Sequence, residues 1–165
     1  MGEEEIIALV AGLGSVRVDR ASKDSGAPEV AWGDTFLTYE PGGRASGRGF
    51  QPFVTVVTKD YPGFDTVSDL DREGVFRVNV AVGGALFTEV VGHSPAEYAA
   101  AGVEVDFTES DRLLPHPVYA VQGWVSVLCP GPRTGERLRE LVGAAWRRAA
   151  ARHRARTTGQ APWER

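Results

Sequence analysis

Residues 75–82 read VFRVNVAV, which is the clearest strand pattern in the chain. Every second side chain is apolar, as in a strand that buries one of its faces. Arg77 and Asn79 then point to the opposite face, where polar side chains among apolar strands can line a shallow binding pocket. We therefore expect a strand here whose buried face carries Phe76, Val78, Val80 and Val82.

Strand patterns continue on both sides of this run. Residues 53–58 read FVTVVT, and these β-branched residues predict a central strand. Two long connections interrupt the pattern: residues 40–49, whose four glycines and proline predict a mobile hairpin loop, and the polar loop at residues 59–74. The other predicted strands are residues 15–19, 29–32, 35–39 and 123–129.

Helical periodicity appears at both ends of the chain. Residues 3–13 and 134–152 carry apolar side chains three and four positions apart, which predicts two amphipathic helices. Two shorter helices are predicted at residues 85–91 and 95–101, and Ser94 with Glu97 forms a capping box at the start of the second. The terminal helices supply the expected core residues Ile6, Val10, Leu138, Leu141, Val142 and Trp146.

These elements predict a single α+β domain over residues 1–152. The chain of 165 residues is long enough to bury its own core as one domain. Five or six strands with few crossover helices predict a twisted, mainly antiparallel sheet, with the N- and C-terminal helices packed on one face. Residues 153–165 show no periodicity, so they are predicted to be a flexible basic tail.

Charge is unevenly distributed along the chain. The formal net charge is −4, but residues 133–165 hold nine arginines and three glutamates, so the first 132 residues carry −10. Arginines near the end of the last helix can contact phosphates, yet they also complement the helix dipole. Because the acidic body would repel nucleic acid and no recognition motif is present, we do not expect a nucleic-acid partner. The arginines concerned are Arg147, Arg148, Arg152, Arg154 and Arg156.

The sequence predicts a cytoplasmic protein that does not contact membranes. The chain opens with an acidic segment, and its first apolar run, residues 6–10, is shorter than the roughly 7–15 residues of a secretion signal. No run approaches the roughly 18 apolar residues of a transmembrane helix. Cys129 is the single cysteine and cannot form an internal disulfide.

The sequence predicts neither a metal site nor a cofactor. Residues 69–74 resemble the opening of a calcium loop, but the same register places Arg77 and Val80 where the later ligands belong. The three histidines lack the spacing of zinc ligands. Neither a phosphate-binding loop nor a complete dinucleotide fingerprint is present.

Two stretches contain candidate catalytic residues. His116 lies between Pro115 and Pro117, which stiffen the chain and can hold the imidazole in one orientation, although a rigid connector has the same sequence. Lys59 and Asp60 follow a predicted central strand, a position typical of functional loops. Asp60 and His116 would form an acid/base pair if folding brings them together. An ion pair between Lys59 and Asp60 before a turn is the structural alternative.

Four stretches of the sequence carry a resemblance to a known family. They are residues 32–36 (WGDTF), 52–63 (PFVTVVTKDYPG), 68–72 (SDLDR) and 76–80 (FRVNV). Together they resemble a family of small actinobacterial proteins classed only as a domain of unknown function. The resemblance spans nearly the whole chain, from Glu5 to about Arg152, and implies no activity and no catalytic residue.

The order of the predicted elements in the second half is similar to that of YjbR/MmcQ-like proteins, which have a CyaY-like α+β fold. That order is a strand, a helix, the segment around His116, a strand that begins at Trp124, and a final amphipathic helix. The long loops at residues 40–49 and 59–74 depart from the pattern. The resemblance implies DNA binding only loosely, because a fold does not transfer a function.

We expect a non-catalytic protein that binds a small ligand or a protein partner on the polar face of the sheet. The candidate ligand contacts are Lys59, Arg77, Asn79 and Trp124. One alternative is a small enzyme that uses His116 and Asp60 as acid and base. The second alternative is a DNA-binding protein of YjbR-like fold.

Overall fold

The runs of alternating and β-branched residues form the middle of one sheet. The structure is a computed structural model that describes residues 1–43 and 51–159. Its six strands are β1 (Val16–Arg20), β2 (Thr35–Tyr39), β3 (Val54–Val57), β4 (Arg77–Ala81), β5 (Leu113–Pro115) and β6 (Trp124–Leu128). They lie in the order β1-β2-β3-β4-β6-β5, and every neighbouring pair is antiparallel. This confirms the predicted α+β architecture.

The helices connect and cover this sheet. They are α1 (Glu3–Ala11), α2 (Gly84–Val91), α3 (Pro95–Ala101) and α4 (Gly135–Thr158). The predicted capping box opens α3, with the Ser94 hydroxyl accepting a hydrogen bond from the Glu97 amide. Short 3-10 turns occupy Glu29–Ala31 and Ala120–Gln122.

Alternation along β4 separates two faces of the sheet, as the sequence predicts. Val78 pairs with Val56 of β3 and Val127 of β6, so three valine side chains lie next to one another. This apolar face packs against α1 and α4, and burying each valine contributes on the order of 1.5–3 kcal/mol to folding. Both terminal helices therefore lie on one face, and their buried contacts are Ile6, Val10, Leu138, Leu141 and Val142.

Among the core residues predicted from the terminal helices, Trp146 is the one that is only partly buried. Its ring packs edge-on against Tyr39, with 5.8 Å between the ring centroids. Its indole N–H donates a hydrogen bond of 2.9 Å to the carbonyl oxygen of Gly14. A buried tryptophan needs a partner for this polar group, which explains why the side chain stops at the edge of the core.

Asp111 caps the start of α4. Its carboxylate accepts hydrogen bonds from the backbone amides of Gly131, Arg133 and Thr134 and from the Thr134 hydroxyl. Burial acts to raise the pKa of Asp111, but the hydrogen bonds from Thr134 and the backbone amides lower it to about 2. The carboxylate is therefore ionised at neutral pH, when it accepts hydrogen bonds from the turn that leads into α4 and from the N-cap residue Thr134.

Two predicted assignments are wrong. Residues 29–32 form a 3-10 turn rather than a strand, because the amides of Ala31 and Trp32 bond back to Pro28 and Glu29. The short strand β5 is absent from the strands predicted from the sequence. It pairs only with β6 at the edge of the sheet, where Pro115 needs no second partner strand.

The last helix is longer than its sequence pattern predicts. It runs to Thr158, so it includes the first six residues of the predicted flexible tail. The remaining residues of that tail, 160–165, and most of the predicted hairpin loop, 44–49, lie outside the described residues. No helix in the described ranges has both the length and the apolar character needed to cross a membrane.

Candidate functional site

A cavity of about 820 Å³ opens on the polar face of the sheet. Polar side chains of the central strands line it: Thr55 of β3 with Arg77 and Asn79 of β4. Apolar and aromatic side chains supply much of the remaining wall. They include Phe36, Phe53, Tyr61, Phe64, Tyr119 and Trp124. The cavity also reaches the second half of α4, which lies along its rim.

A continuous hydrogen-bond network organises the polar wall of the cavity. The guanidinium of Arg77 donates to both carboxylate oxygens of Asp65 and also to the Ser68 hydroxyl at 2.7 Å. Its Nε donates to Asn79 Oδ1 at 2.9 Å, and Asn79 Nδ2 in turn donates to the Thr55 hydroxyl at 2.9 Å. The positive charge of Arg77 is thus matched by Asp65 inside the protein.

The loop between β3 and β4 brings Asp65 to Arg77. The backbone amide of Asp65 donates to the carbonyl oxygen of Tyr61, which closes a tight turn. The Tyr61 hydroxyl donates to the buried Asp34, whose carboxylate also accepts from the amide and hydroxyl of Thr58. Burial and this hydrogen bond to Asp34 raise the pKa of Tyr61, so the phenol stays protonated and holds the loop against the sheet.

His116 occupies another wall of the cavity and is 4% exposed. Its Nδ1 accepts hydrogen bonds of 3.0 Å from the backbone amides of Val118 and Tyr119. Pro117 has no N–H, so these are the first two amides available after the histidine. The two donors require an unprotonated Nδ1, which places the ring proton on Nε2. In the described part of the chain, Nε2 makes no hydrogen bond.

The surroundings of His116 keep the imidazole neutral. Burial lowers its pKa to about 3, and the nearby Arg77 guanidinium acts in the same direction, while Asp65 opposes the shift. A neutral imidazole with its proton on Nε2 acts as a hydrogen-bond donor towards the cavity. The predicted fixed orientation of His116 therefore has a structural cause in the turn that follows it.

Aromatic rings surround His116. Tyr119 lies 4.9 Å from the imidazole, and Trp124 packs edge-on against it at 6.2 Å between ring centroids. Tyr119 also contacts Trp124 and the exposed ring of Phe64, both at 6.3 Å. The rings of Phe64, Tyr119 and Trp124 form an aromatic wall beside the Nε2 donor. Their flat faces can pack against a planar apolar group.

The structure brings four of the six predicted site residues to the cavity: Arg77, Asn79, His116 and Trp124. Lys59 and Asp60 do not line it. The ammonium group of Lys59 donates to the carbonyl oxygen of Glu29, and the Asp60 carboxylate accepts from the amide of Leu70. No hydrogen bond joins Asp60 to His116 among the described residues, and the acid whose charge acts on His116 is Asp65.

Sequence reasoning missed the part of the site that α4 contributes. Arg148, Arg152 and Arg156 lie four residues apart on the helix, and all three line the cavity. Residues at this spacing share one face of a helix. The spacing was visible in the sequence, but the direction in which that face points depends on how α4 crosses the sheet.

The described residues provide no metal centre, since they contain no group of three or more histidine, cysteine or acidic side chains arranged around a common point. The acids at residues 69–74, which resemble a calcium loop, instead form local contacts. Arg72 pairs with Asp69, and the Asp71 carboxylate accepts from the amide of Asp60.

The fold and cavity define a small α+β protein with a pocket on one sheet face. The chain belongs to a family of unknown function, DUF6194, whose model matches residues 1–158. This confirms the predicted membership in a family of unknown function. Searches of curated proteins and of solved structures found no match. The actinobacterial origin and the YjbR-like fold stay predictions.

Proposed function

We propose that this protein binds a small organic molecule in the cavity on the polar face of the sheet. A volume of about 820 Å³ falls within the range of roughly 300–1,000 Å³ that is typical of ligand pockets. Apolar and aromatic walls with a few convergent polar groups are the usual composition of such pockets. Arg77, Asn79 and His116 supply those polar groups here.

The observation that carries this proposal is the state of His116. Ligand pockets fix the orientation of their ligands with a few polar groups that face the cavity and are free to pair with the ligand. The Nε2–H of His116 has no partner among the described residues and lies at the cavity wall. A bound molecule with a hydrogen-bond acceptor at this point would satisfy it.

Binding has more support than acid/base catalysis. A general base needs a free lone pair, but the Nδ1 lone pair of His116 already accepts two backbone hydrogen bonds. A pKa of about 3 also leaves the imidazole neutral near pH 7, where it cannot serve as a protonated general acid. The enzyme alternative therefore has no supporting pair of residues in the described chain.

Nucleic-acid binding also has little support. The first arginines of the basic segment form ion pairs with carboxylates of the acidic body: Arg137 with Glu89, Arg139 with Glu5, and Arg133 with Glu109. Phosphate contacts by these side chains would compete with internal partners. In the second half of α4, three arginines line the cavity. Fewer arginines therefore remain to contact the phosphates along a nucleic-acid backbone.

A neutral fluorescent probe tests the proposed function. N-phenyl-1-naphthylamine brightens in apolar sites, and we expect saturable binding to the wild-type protein with one site per chain. Ala149→Trp places an indole in the cavity from α4 and should weaken binding by about tenfold or more, by analogy with overpacked sites. The matched control is Ala151→Trp, which makes the same change at an exposed position of the same helix.

Two outcomes would overturn the proposal: no saturable binding by the wild-type protein, or equal affinity of the Ala149→Trp and Ala151→Trp variants. Circular dichroism first establishes that both variants fold. If Ala149→Trp does not fold, the ¹⁵N signals of His116 in the wild-type protein decide. We expect them to shift on saturation with the probe, whereas unchanged signals would contradict binding in this cavity.

A further inference from the structure

The arginines on the cavity side of α4 differ from those earlier in the same helix. Arg137 and Arg139 form ion pairs with acids of the body. Within residues 1–43 and 51–159, no carboxylate pairs with Arg148 or Arg152. Burial lowers the pKa of Arg148, and the like charge of Arg152 lowers it further. Two neighbouring cations therefore face one another across the helix surface without a matching acid.

The described lining of the cavity supplies no free negative charge for these arginines. Asp65 is the one acid among the described lining residues, and both of its carboxylate oxygens accept hydrogen bonds from Arg77. The cavity thus combines a neutral polar wall with a cationic rim. A negatively charged group at that rim would remove the repulsion between Arg148 and Arg152 and form charge-assisted hydrogen bonds.

The backbone fixes where Arg148 lies. A β-carbon added to Gly83 would come within 2.6 Å of Arg148 Nε, so the guanidinium rests directly on the backbone after β4. Gly83 also has a φ of +83°, a conformation that other residues rarely adopt. Gly83 in turn donates its amide to the carbonyl oxygen of Gly123, just before Trp124. Arg148 is therefore held next to the turn from which the aromatic wall begins.

We propose that the ligand of this cavity is an organic anion, with a carboxylate, sulfonate or phosphate group held by Arg148 and Arg152 and a flat apolar body packed against the aromatic wall. This inference rests on the proposed function, because it specifies the chemistry of the molecule that the cavity binds. Guanidinium groups bind such anions through two parallel hydrogen bonds, and planar apolar bodies pack well on aromatic rings. The Nε2–H of His116 donates to an acceptor on the body of the ligand.

The test compares two probes that differ in charge. 8-Anilinonaphthalene-1-sulfonate has the ring system of N-phenyl-1-naphthylamine with one sulfonate added. We expect the wild-type protein to bind the anionic probe about tenfold more tightly than the neutral one, as charge-assisted hydrogen bonds allow. Raising the salt concentration should reduce that preference, because the rim is exposed to solvent.

Matched arginine variants assign the preference to the rim. Arg148→Gln/Arg152→Gln should bring the affinity ratio of the two probes close to one. Arg147→Gln/Arg154→Gln removes the same charge from exposed positions of α4 that do not line the cavity, and it should keep the wild-type ratio. The inference would be overturned if the two double variants had the same affinity ratio for the two probes, or if the wild-type protein preferred the neutral probe. Either result would leave binding of the neutral probe, and with it the proposed function, intact. If neither probe binds to the wild-type protein, the proposed function is overturned instead.

Displacement distinguishes the anionic groups. 1-Naphthoate, 1-naphthyl phosphate and neutral 1-naphthol share one ring system, and each is titrated against the bound anionic probe. Displacement by the carboxylate or the phosphate at concentrations where 1-naphthol has no effect supports the inference and indicates which anion fits better. Displacement by 1-naphthol at the same concentration would contradict it.

Discussion

Arg77 and Asp65 form a buried two-point ion pair in which each terminal nitrogen of the guanidinium donates to a different carboxylate oxygen, at 3.2 and 2.5 Å. Both side chains are almost fully buried, at 2% and 7% exposed. Twelve residues separate them, so the pair fastens the loop after β3 to the strand β4. It also cancels the only negative charge among the described lining residues of the cavity.

Removing one partner of this pair should be strongly destabilising. We expect Asp65→Asn to lower the free energy of unfolding by about 3–5 kcal/mol, because Arg77 would stay buried without a counter-charge. The control is Asp69→Asn, which breaks an exposed pair with Arg72 and should cost at most about 1 kcal/mol. Urea denaturation of the variants measures both effects. Equal losses would show that the buried pair has no special role.

The protonation of His116 should make stability depend on pH. In the unfolded chain the imidazole titrates near 6.5, but in the folded protein its pKa is about 3. The unfolded state therefore binds more protons between these values, and the free energy of unfolding falls as the pH drops through this window, by up to about 1.4 kcal/mol per unit. Its contribution is fully present above pH 6.5.

Denaturation at several pH values between about 4 and 7 measures this dependence. His116→Asn keeps an acceptor for the amides of Val118 and Tyr119 but cannot take up a proton. The free energy of unfolding of this variant should therefore depend less on pH than that of the wild-type protein. In the wild-type protein, ¹⁵N spectra should show the neutral tautomer with the proton on Nε2 throughout this range. A wild-type imidazole that titrates near 6.5 would contradict the prediction.

Gly123 should not tolerate a side chain. Its φ is +76°, and an added β-carbon would lie 2.9 Å from the backbone of Gly83. Gly63 has nearly the same φ, at +75°, but nothing lies within 4 Å of its added β-carbon. Gly63→Ala should therefore cost only the conformational penalty of about 1–2 kcal/mol. Gly123→Ala should cost a further 1–3 kcal/mol or so from the steric conflict. Thermal unfolding of both variants tests the difference.

Asp111 should protect the start of α4 from acid. Asp111→Ala removes the cap from several amides and should lower the free energy of unfolding by about 1–2 kcal/mol at neutral pH. Because folding lowers the pKa of Asp111 to about 2, its stabilising effect is present above pH 4 and is lost as the pH falls towards 2. The wild-type and Asp111→Ala proteins should therefore become more alike in urea denaturation at low pH. A constant difference down to pH 2 would argue against this role.

The parts of the fold that were predictable depend on local pattern. Alternation at residues 75–82 placed Arg77 and Asn79 on the face opposite the core, and the prolines beside His116 indicated a fixed imidazole. Local pattern could not show whether Asp60 or Asp65 lies near His116 and Arg77. Both acids lie in one polar loop, and the turn at Tyr61 decides which of them reaches Arg77.

The α4 rim shows a second limit of local pattern. The four-residue spacing of Arg148, Arg152 and Arg156 is evident in the sequence, and so is the apolar stripe of the same helix. An apolar stripe predicts which side of a helix is buried. It does not predict which part of the sheet the polar side of the same helix lies against. That depends on the packing of α4 against β4 and against β2, which lies about a hundred residues earlier in the chain.

The two outer strands of the sheet have a consequence for how this molecule meets its own copies. β1 carries Arg17, Asp19 and Arg20 along one outer edge, and β5 ends in Pro115 at the other. Charged side chains and proline both discourage a further strand from adding to an edge. We therefore expect the sheet to end where its six strands end, so that these chains do not join edge to edge into larger sheets at high concentration.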